Sequence, residues 1–260
     1  PTPPARPSVL QFRLYEAIGE DLPTTALPRA FAATDLGGDS GWKAQLDAAE
    51  RLARIGAISE NRLLGIYTSR IPSASGGIWD RVEAVQRLET ALASGDPVAI
   101  IKQTRRAWLK MQEAGLEVPF ATLFTEALMR LPSTGTDADL ITRIALLSPS
   151  YEQAVARQTN DPALKTMQSI AIGEPKSQST EAITAAIVRS FSGEAVPQYL
   201  SDMSKDERLG EAILRAMSLS ASGDSSAIQN GLAFLRSVGL EDTARRTALQ
   251  LVLLEFGDQK

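Results

Sequence analysis

Apolar residues recur along this chain at spacings of three and four, the period of an amphipathic helix, and almost nowhere alternate. Ser8-Val-Leu-Gln11 has the form of a capping box, and Leu10, Leu14 and Ile18 then share one face as far as Gly19. The alternation in Leu10-Gln-Phe12-Arg-Leu14 keeps a short strand open as the alternative there. Trp42, Leu46, Ala49 and Ala53 line up over 41–55, and Ser59 caps a segment carrying Leu63, Leu64 and Tyr67. A longer helix is predicted over 78–94, closed by Gly95. Asp96-Pro97 supplies an N-cap and an N1 proline for the next, which ends at Gly115. Further helices are predicted over 120–131, 137–147, 151–158, 162–173 (opened by Asp161-Pro162), 181–191, 206–221, 226–238 and 242–256.

The pattern predicts an all-α chain of short-linked antiparallel hairpins, stacked in the manner of an α-solenoid and compatible with a right-handed superhelix. Residues 1–8 read as an extended proline-rich arm and 9–173 as a helical domain. Residues 179–258 read as C-terminal hairpins, separate from that domain or continuous with it, with the boundary in the polar stretch near Gly173–Thr180.

One phrase occurs twice. Ala93-Ser-Gly-Asp96 returns as Ala221-Ser-Gly-Asp224; each copy continues into Ala-Ile, then an aromatic-Leu pair (Trp108-Leu109, Phe234-Leu235), then Gly-Leu-Glu. A helix, a tight Gly-Asp turn and an Ala-rich second helix loosely resemble the hairpin repeats of the tetratricopeptide class. No period of about 34 residues with that class's full signature runs along the chain. A second resemblance is carried by Gly41-Trp-Lys-Ala-Gln-Leu-Asp-Ala-Ala-Glu50, Arg62-Leu-Leu-Gly-Ile-Tyr67 and Ser75-Gly-Gly-Ile-Trp-Asp-Arg81. These stretches are similar to a group of exported helical proteins of alphaproteobacteria. That resemblance implies a signal peptide and a periplasmic location, and it brings no activity with it.

Composition narrows the chemistry. The chain has 260 residues with no Cys and no His. Disulfides, thiol nucleophiles, imidazole bases and zinc sites of the usual ligand types are excluded. Lys+Arg 27 against Asp+Glu 31, a net charge of −4, gives no global attraction to nucleic acid. Aromatic content is 5%, so the helices are expected to meet largely through Ala and Leu. The longest apolar run, Leu249 to Phe256, is interrupted by Gln250 and Glu255, falls short of the ~18–20 residues that span a bilayer and reads as a buried terminal helix. The opening Pro1-Thr-Pro-Pro-Ala-Arg-Pro7 is of a kind found at mature N-termini of exported proteins, with a cytoplasmic location as the alternative.

Three groups of residues stand out. The loop from Ser69 to Arg81 carries Arg70, Ser73, Ser75, Gly76, Gly77, Trp79 and Arg81 and feeds a helix N-terminus. It reads either as a pocket for a small anion or as a capped crossover with Trp79 turned inward. Lys102, Arg106 and Lys110, with Arg105 nearby, form a basic stripe opposite Ile101, Thr104, Trp108 and Met111. It could receive an acidic partner, or be a solvated face balanced by Glu113. Trp42, Trp79 and Trp108 are core residues by position, or the lining of a groove for a peptide or sugar. The carboxylate pairs Asp137/Asp139, Asp47/Glu50 and Asp202/Asp206 match no metal motif, and Lys43, Lys165 and Lys176 show no activating context.

With no catalytic residue and no cofactor indicated, the expected function is a binding or scaffolding module. It would present a helical surface to a protein or peptide partner in the cell envelope. The alternatives are a carboxylate-dependent cell-wall enzyme with its acid near Trp79, or an accessory domain of a larger protein.

Overall fold

A computed structural model describes residues 4, 6–20, 22, 24, 27–37, 40–175, 181–193 and 196–255. Among these the chain is all-α, with no strand. The helices are α1 (Val9–Ala17), α2 (Ala32–Asp35), α3 (Trp42–Ala53), α4 (Glu60–Thr68), α5 (Ile78–Ser94), α6 (Pro97–Gln112), α7 (Glu117–Met129) and α8 (Gly135–Leu146). They continue as α9 (Pro162–Ala171), α10 (Ala182–Phe191), α11 (Gln198–Lys205), α12 (Leu209–Ser220), α13 (Ser225–Ser237) and α14 (Glu241–Glu255). Arg29–Phe31 and Tyr151–Ala156 are 3₁₀ turns, so the helix expected over 151–158 is wound more tightly than an α-helix. None of these helices is long and apolar enough to cross a membrane.

Helix starts follow the sequence closely. The Ser8 hydroxyl accepts from the Gln11 N–H while Gln11 Oε1 accepts from the Ser8 N–H, the reciprocal pair of a capping box. This segment is therefore helical, and its strand alternative falls away. Asp96, Asp161 and Asp224 each cap the helix they precede, accepting from Val98, Ala163 and Ala227. Both Ala-Ser-Gly-Asp phrases build the same corner, a left-handed glycine followed by the aspartate cap. Beyond the corner they diverge. Leu109 is exposed, whereas Leu235 is buried.

The chain divides into two compact units, Pro1–Leu123 and Phe124–Lys260. The polar stretch 173–180 lies within the second, and its residues 176–180 fall outside the described residues, as do residues 1–3 and 5 of the proline-rich arm. In the first unit α3 packs on α2 and α4, and α5 on α4 and α6. Arg51 of α3 donates to the Thr24 and Leu27 carbonyls at 2.8 and 2.6 Å, anchoring the segment after α1. Phe12, Leu22 and Leu27 form a small cluster there, with the Phe31 ring tilted against Phe12 at a centroid distance of 4.9 Å. In the second unit α13 is central: α10, α12 and α14 all pack against it, and α9 packs against α14.

The α12–α13 contact depends on a missing side chain. A Cβ on Gly231 would collide with Ser220 Oγ and lie 2.5 Å from the Ala216 carbonyl oxygen. Gly65, in the middle of α4, has open space around it and no positive φ. The same substitution should therefore act with opposite sign at the two sites. Gly65→Ala is expected to stabilise its unit by about 0.5–1 kcal/mol through helix propensity. Gly231→Ala is expected to lose about 1–3 kcal/mol to overpacking. Urea unfolding by far-ultraviolet circular dichroism checks both, and a stabilising Gly231→Ala would refute the close approach.

Candidate functional site

The residues at and around the Ser69–Arg81 loop assemble around a group absent from the expected site, Glu50. This carboxylate on α3 is 2% exposed. Arg81 of α5 grips it with both ends of its fork, Nε to Oε1 at 2.8 Å and Nη2 to Oε2 at 2.7 Å. The Tyr67 hydroxyl of α4 donates to Oε1 at 2.7 Å, and Arg54 Nη2 to Oε2 at 3.1 Å. Arg54 Nε also donates to the Ala114 carbonyl just beyond α6. A buried carboxylate needs such compensation, because removal from water penalises the charge by several kcal/mol unless it is paired and hydrogen-bonded. Arg81, a candidate anion ligand by sequence, is committed to this carboxylate.

The rest of the loop is built as a crossover. Trp42 donates its indole N–H to the Ile66 carbonyl at 2.9 Å, and half-buried Trp79 packs on it at a tilt, with centroids 5.3 Å apart. Gln86 donates to the Tyr67 and Arg70 carbonyls, both at 2.7 Å, satisfying the end of α4. Gly77 has φ 54° and ψ −120°, a conformation closed to side-chain-bearing residues, and it turns the chain into α5. The Gly76 N–H, where an external anion would sit, donates instead to the Asp80 carboxylate at 2.8 Å. Arg70, Ser73 and Ser75 are exposed. A 380 Å³ groove beside them includes Ser75, Trp79, Asp80, Glu83 and Arg87, so acidic and basic groups share its walls.

The basic stripe is largely neutralised. Arg106 reaches Glu83 at 2.8 Å, Glu83 also takes Arg87, and Lys110 pairs with Glu113 at 2.9 Å. Lys102 is exposed. Trp42 and Trp108 are buried, the latter tilted against Phe120 with centroids 5.6 Å apart. Lys43 pairs with Asp47, Asp202 with Lys205, and Thr159 donates to Asp139. Lys165 is exposed and Lys176 lies outside the described residues.

The second unit holds two further concavities. One, of 650 Å³, lies at the start of α8 and is lined mainly by hydroxyls and amides with Asp139 and Arg157. Arg157 is tied into its wall, donating to the Met129 carbonyl at the end of α7 and to Ser133 Oγ. The other, of 380 Å³, is an apolar groove with α12 and α14 as walls and Leu235 of α13 as floor. Its lining includes Met217, Leu251 and Leu254, with Thr243, Thr247 and Gln250 along α14, and among the described residues no charged one. Beside it Leu214 projects 67% exposed and Met217 50% exposed, one turn apart on α12. Sequence reasoning missed this groove because Leu251 and Leu254 fall within a run that reads as buried. The available signal was Leu214 with Met217, an apolar pair off the face that carries Ala212 and Ala216. On α1, Leu10, Leu14 and Ile18 are also more than half exposed, because Phe12 supplies the buried side of that helix.

Two tyrosines register these contacts. Burial first, then the neighbouring Glu50 charge, pushes the Tyr67 phenol well above its usual range. Burial, then the Asp242 carboxylate 2.9 Å away, pushes Tyr151 up to about 12. Since the folded state holds these protons more tightly than the unfolded chain, their contribution is intact below pH ~10 and is lost as pH rises through the folded values. Alkaline titration of phenolate absorbance should leave Tyr67 and Tyr151 protonated at a pH where free tyrosine is ionised. Tyr67→Phe should flatten the alkaline fall in stability of the first unit, and an unchanged slope would refute the assignment.

No protein-family model, no curated protein and no solved structure matches this chain.

Proposed function

We propose that the chain is a binding or scaffolding module without a catalytic centre, working in the cell envelope and taking up a protein or peptide partner on an apolar helical surface. The observation that carries this reading is the groove on α12, α13 and α14. Buried apolar residues normally complete a core, whereas here an uncharged groove opens to solvent beside an exposed Leu214–Met217 ridge. Two helices flanking a third form the kind of concavity into which an amphipathic helix lays its apolar face. The envelope location rests on the resemblance to exported helical proteins and on the proline-rich opening.

The disposition of carboxylates supports binding over hydrolysis. Glu50 has both oxygens taken by Arg81, Tyr67 and Arg54 and offers substrate no open face, while the two acids that share a groove with Trp79 are engaged as well, Asp80 by the Gly76 N–H and Glu83 by Arg87 and Arg106. A hydrolase acting through carboxylates needs two of them across an accessible cleft, about 5–9.5 Å apart.

A fluorescein-labelled amphipathic helical peptide of about 15 residues, with Leu at i, i+4 and i+8, provides the probe. Titrated with the full chain, it should show saturable anisotropy with a Kd of order 10 µM, weakened at least tenfold by Met217→Asp. Absence of saturation, or equal binding by the variant, would overturn the reading.

A further inference from the structure

The 650 Å³ concavity at the start of α8 has in its wall a cation that no acid of the described chain neutralises. Arg157 uses two of its five N–H groups on the chain itself, Nη1 on the Met129 carbonyl at 3.2 Å and Nη2 on Ser133 Oγ. Its Nε–H is shut off from solvent and has no partner. Arg81 and Arg245, guanidinium groups also withdrawn from water, are each paired with a carboxylate, Glu50 for the first, Glu241 and Glu152 for the second. Burial opposes the charge on all three. At Arg81 and Arg245 the neighbouring carboxylates more than restore it, whereas at Arg157 burial acts alone and pushes the guanidinium below its usual range. A guanidinium left in this state at the wall of a concavity is completed by an oxyanion entering from outside.

The rest of the wall selects for more than charge. Thr134 and Thr136 contribute hydroxyls, and Gln158 and Asn160 contribute amides, groups that both donate and accept. Asp139 is an acceptor only. Its Oδ1 takes the Thr159 hydroxyl at 2.5 Å, and the carboxylate keeps lone pairs for further donors. A bare anion would be repelled by Asp139, but a ligand with hydroxyl groups would donate to it. The volume lies within the ~300–1,000 Å³ range of small-molecule sites.

We propose that this concavity binds a small polyhydroxylated carboxylic acid, a sugar acid by chemical class, with its carboxylate on Arg157 and its hydroxyls on Asp139 and the amides of Gln158 and Asn160. The first turn of α8 fits the same orientation. Thr134, Gly135 and Thr136 lie in the wall and no side chain caps that turn, so the helix dipole favours the negative end of the ligand there. None of the lining residues belongs to the groove on α12, α13 and α14, so the site stands or falls separately from the protein-docking reading.

Sodium D-glucuronate is the probe. The controls are D-glucose, which has a CH₂OH in place of the carboxylate, and sodium acetate, which lacks the hydroxyls. In ¹H–¹⁵N spectra of the full chain near neutral pH, glucuronate should give saturable shifts at the Arg157 Nε–H and the Gln158 and Asn160 side-chain amides, with a Kd of order 1 mM. The Arg157 signal is identified by its loss in Arg157→Met. Glucose and acetate should each bind about tenfold or more weakly. Arg157→Met, its fold checked by circular dichroism, should weaken glucuronate by a similar factor. Because Arg157 also ties the end of α7 to Ser133, that variant could unfold; the three ligands on the unaltered chain then decide the matter. No saturation by glucuronate, an equal response to glucose or to acetate, or shifts confined to residues outside the concavity would each overturn the proposal.

Discussion

A carboxylate sealed away from water dictates the arrangement of the first unit. Glu50 stays tolerable in the interior only while Arg81, Tyr67 and Arg54 remain within hydrogen-bonding distance, so helices α3, α4 and α5 are held in register by one side chain. The consequences spread outward from it. Fixing Arg81 fixes the first turn of α5, which carries Trp79 against Trp42 and Asp80 against the Gly76 amide. Fixing Arg54 extends the constraint to the chain leaving α6. Hydrophobic burial supplies most of the stability of such a unit, but it is weakly directional. The fork of Arg81 on Glu50 adds direction.

Among its described residues the second unit solves the same problem without a buried ion pair at its centre. There α12 and α13 approach closely through Gly231, Ala216 and Ser220, and ion pairs such as Arg245–Glu241 and Arg236–Glu241 lie toward the surface. Across both units, acidic and basic side chains are mostly engaged with one another or with helix ends. Exposed apolar side chains remain on both units, on α1 at Val9, Leu10 and Leu14 and on α12 at Leu214 and Met217.

The fold was legible in the sequence where local chemistry decides it. Ser8, Asp96, Asp161 and Asp224 cap as their side chains require, and a glycine closes α5 at Gly95. It was less legible where an element lacks such punctuation. The corner between α11 and α12 turns at Glu207, whose φ of 61° places a non-glycine residue in left-handed space, so the chain reads as continuous helix from 206 onward. On α1 both Phe12 and the Leu10–Leu14–Ile18 row are apolar, and periodicity could not choose which faces inward. The sites were less legible still. Glu50 differs from Asp47 only in the neighbours that three helices bring to it, and the groove exists only because α14 shows Leu251 and Leu254 to a gap that α12 does not fill. Arg81 was singled out as an anion ligand; its anion proved to be part of the chain itself.

The centre of this account is that Glu50 and Arg81 act as one structural tie. A double-mutant cycle tests it most directly, by urea unfolding followed through tryptophan fluorescence. Trp42, Trp79 and Trp108 all lie in the first unit, so the signal reports on that unit alone. Glu50→Leu and Arg81→Leu should each lose about 3–5 kcal/mol by stranding the other charge in the interior. The double variant should lose at least ~2 kcal/mol less than the two losses combined. Additive losses, or single variants within about 0.5 kcal/mol of the parent, would contradict the account.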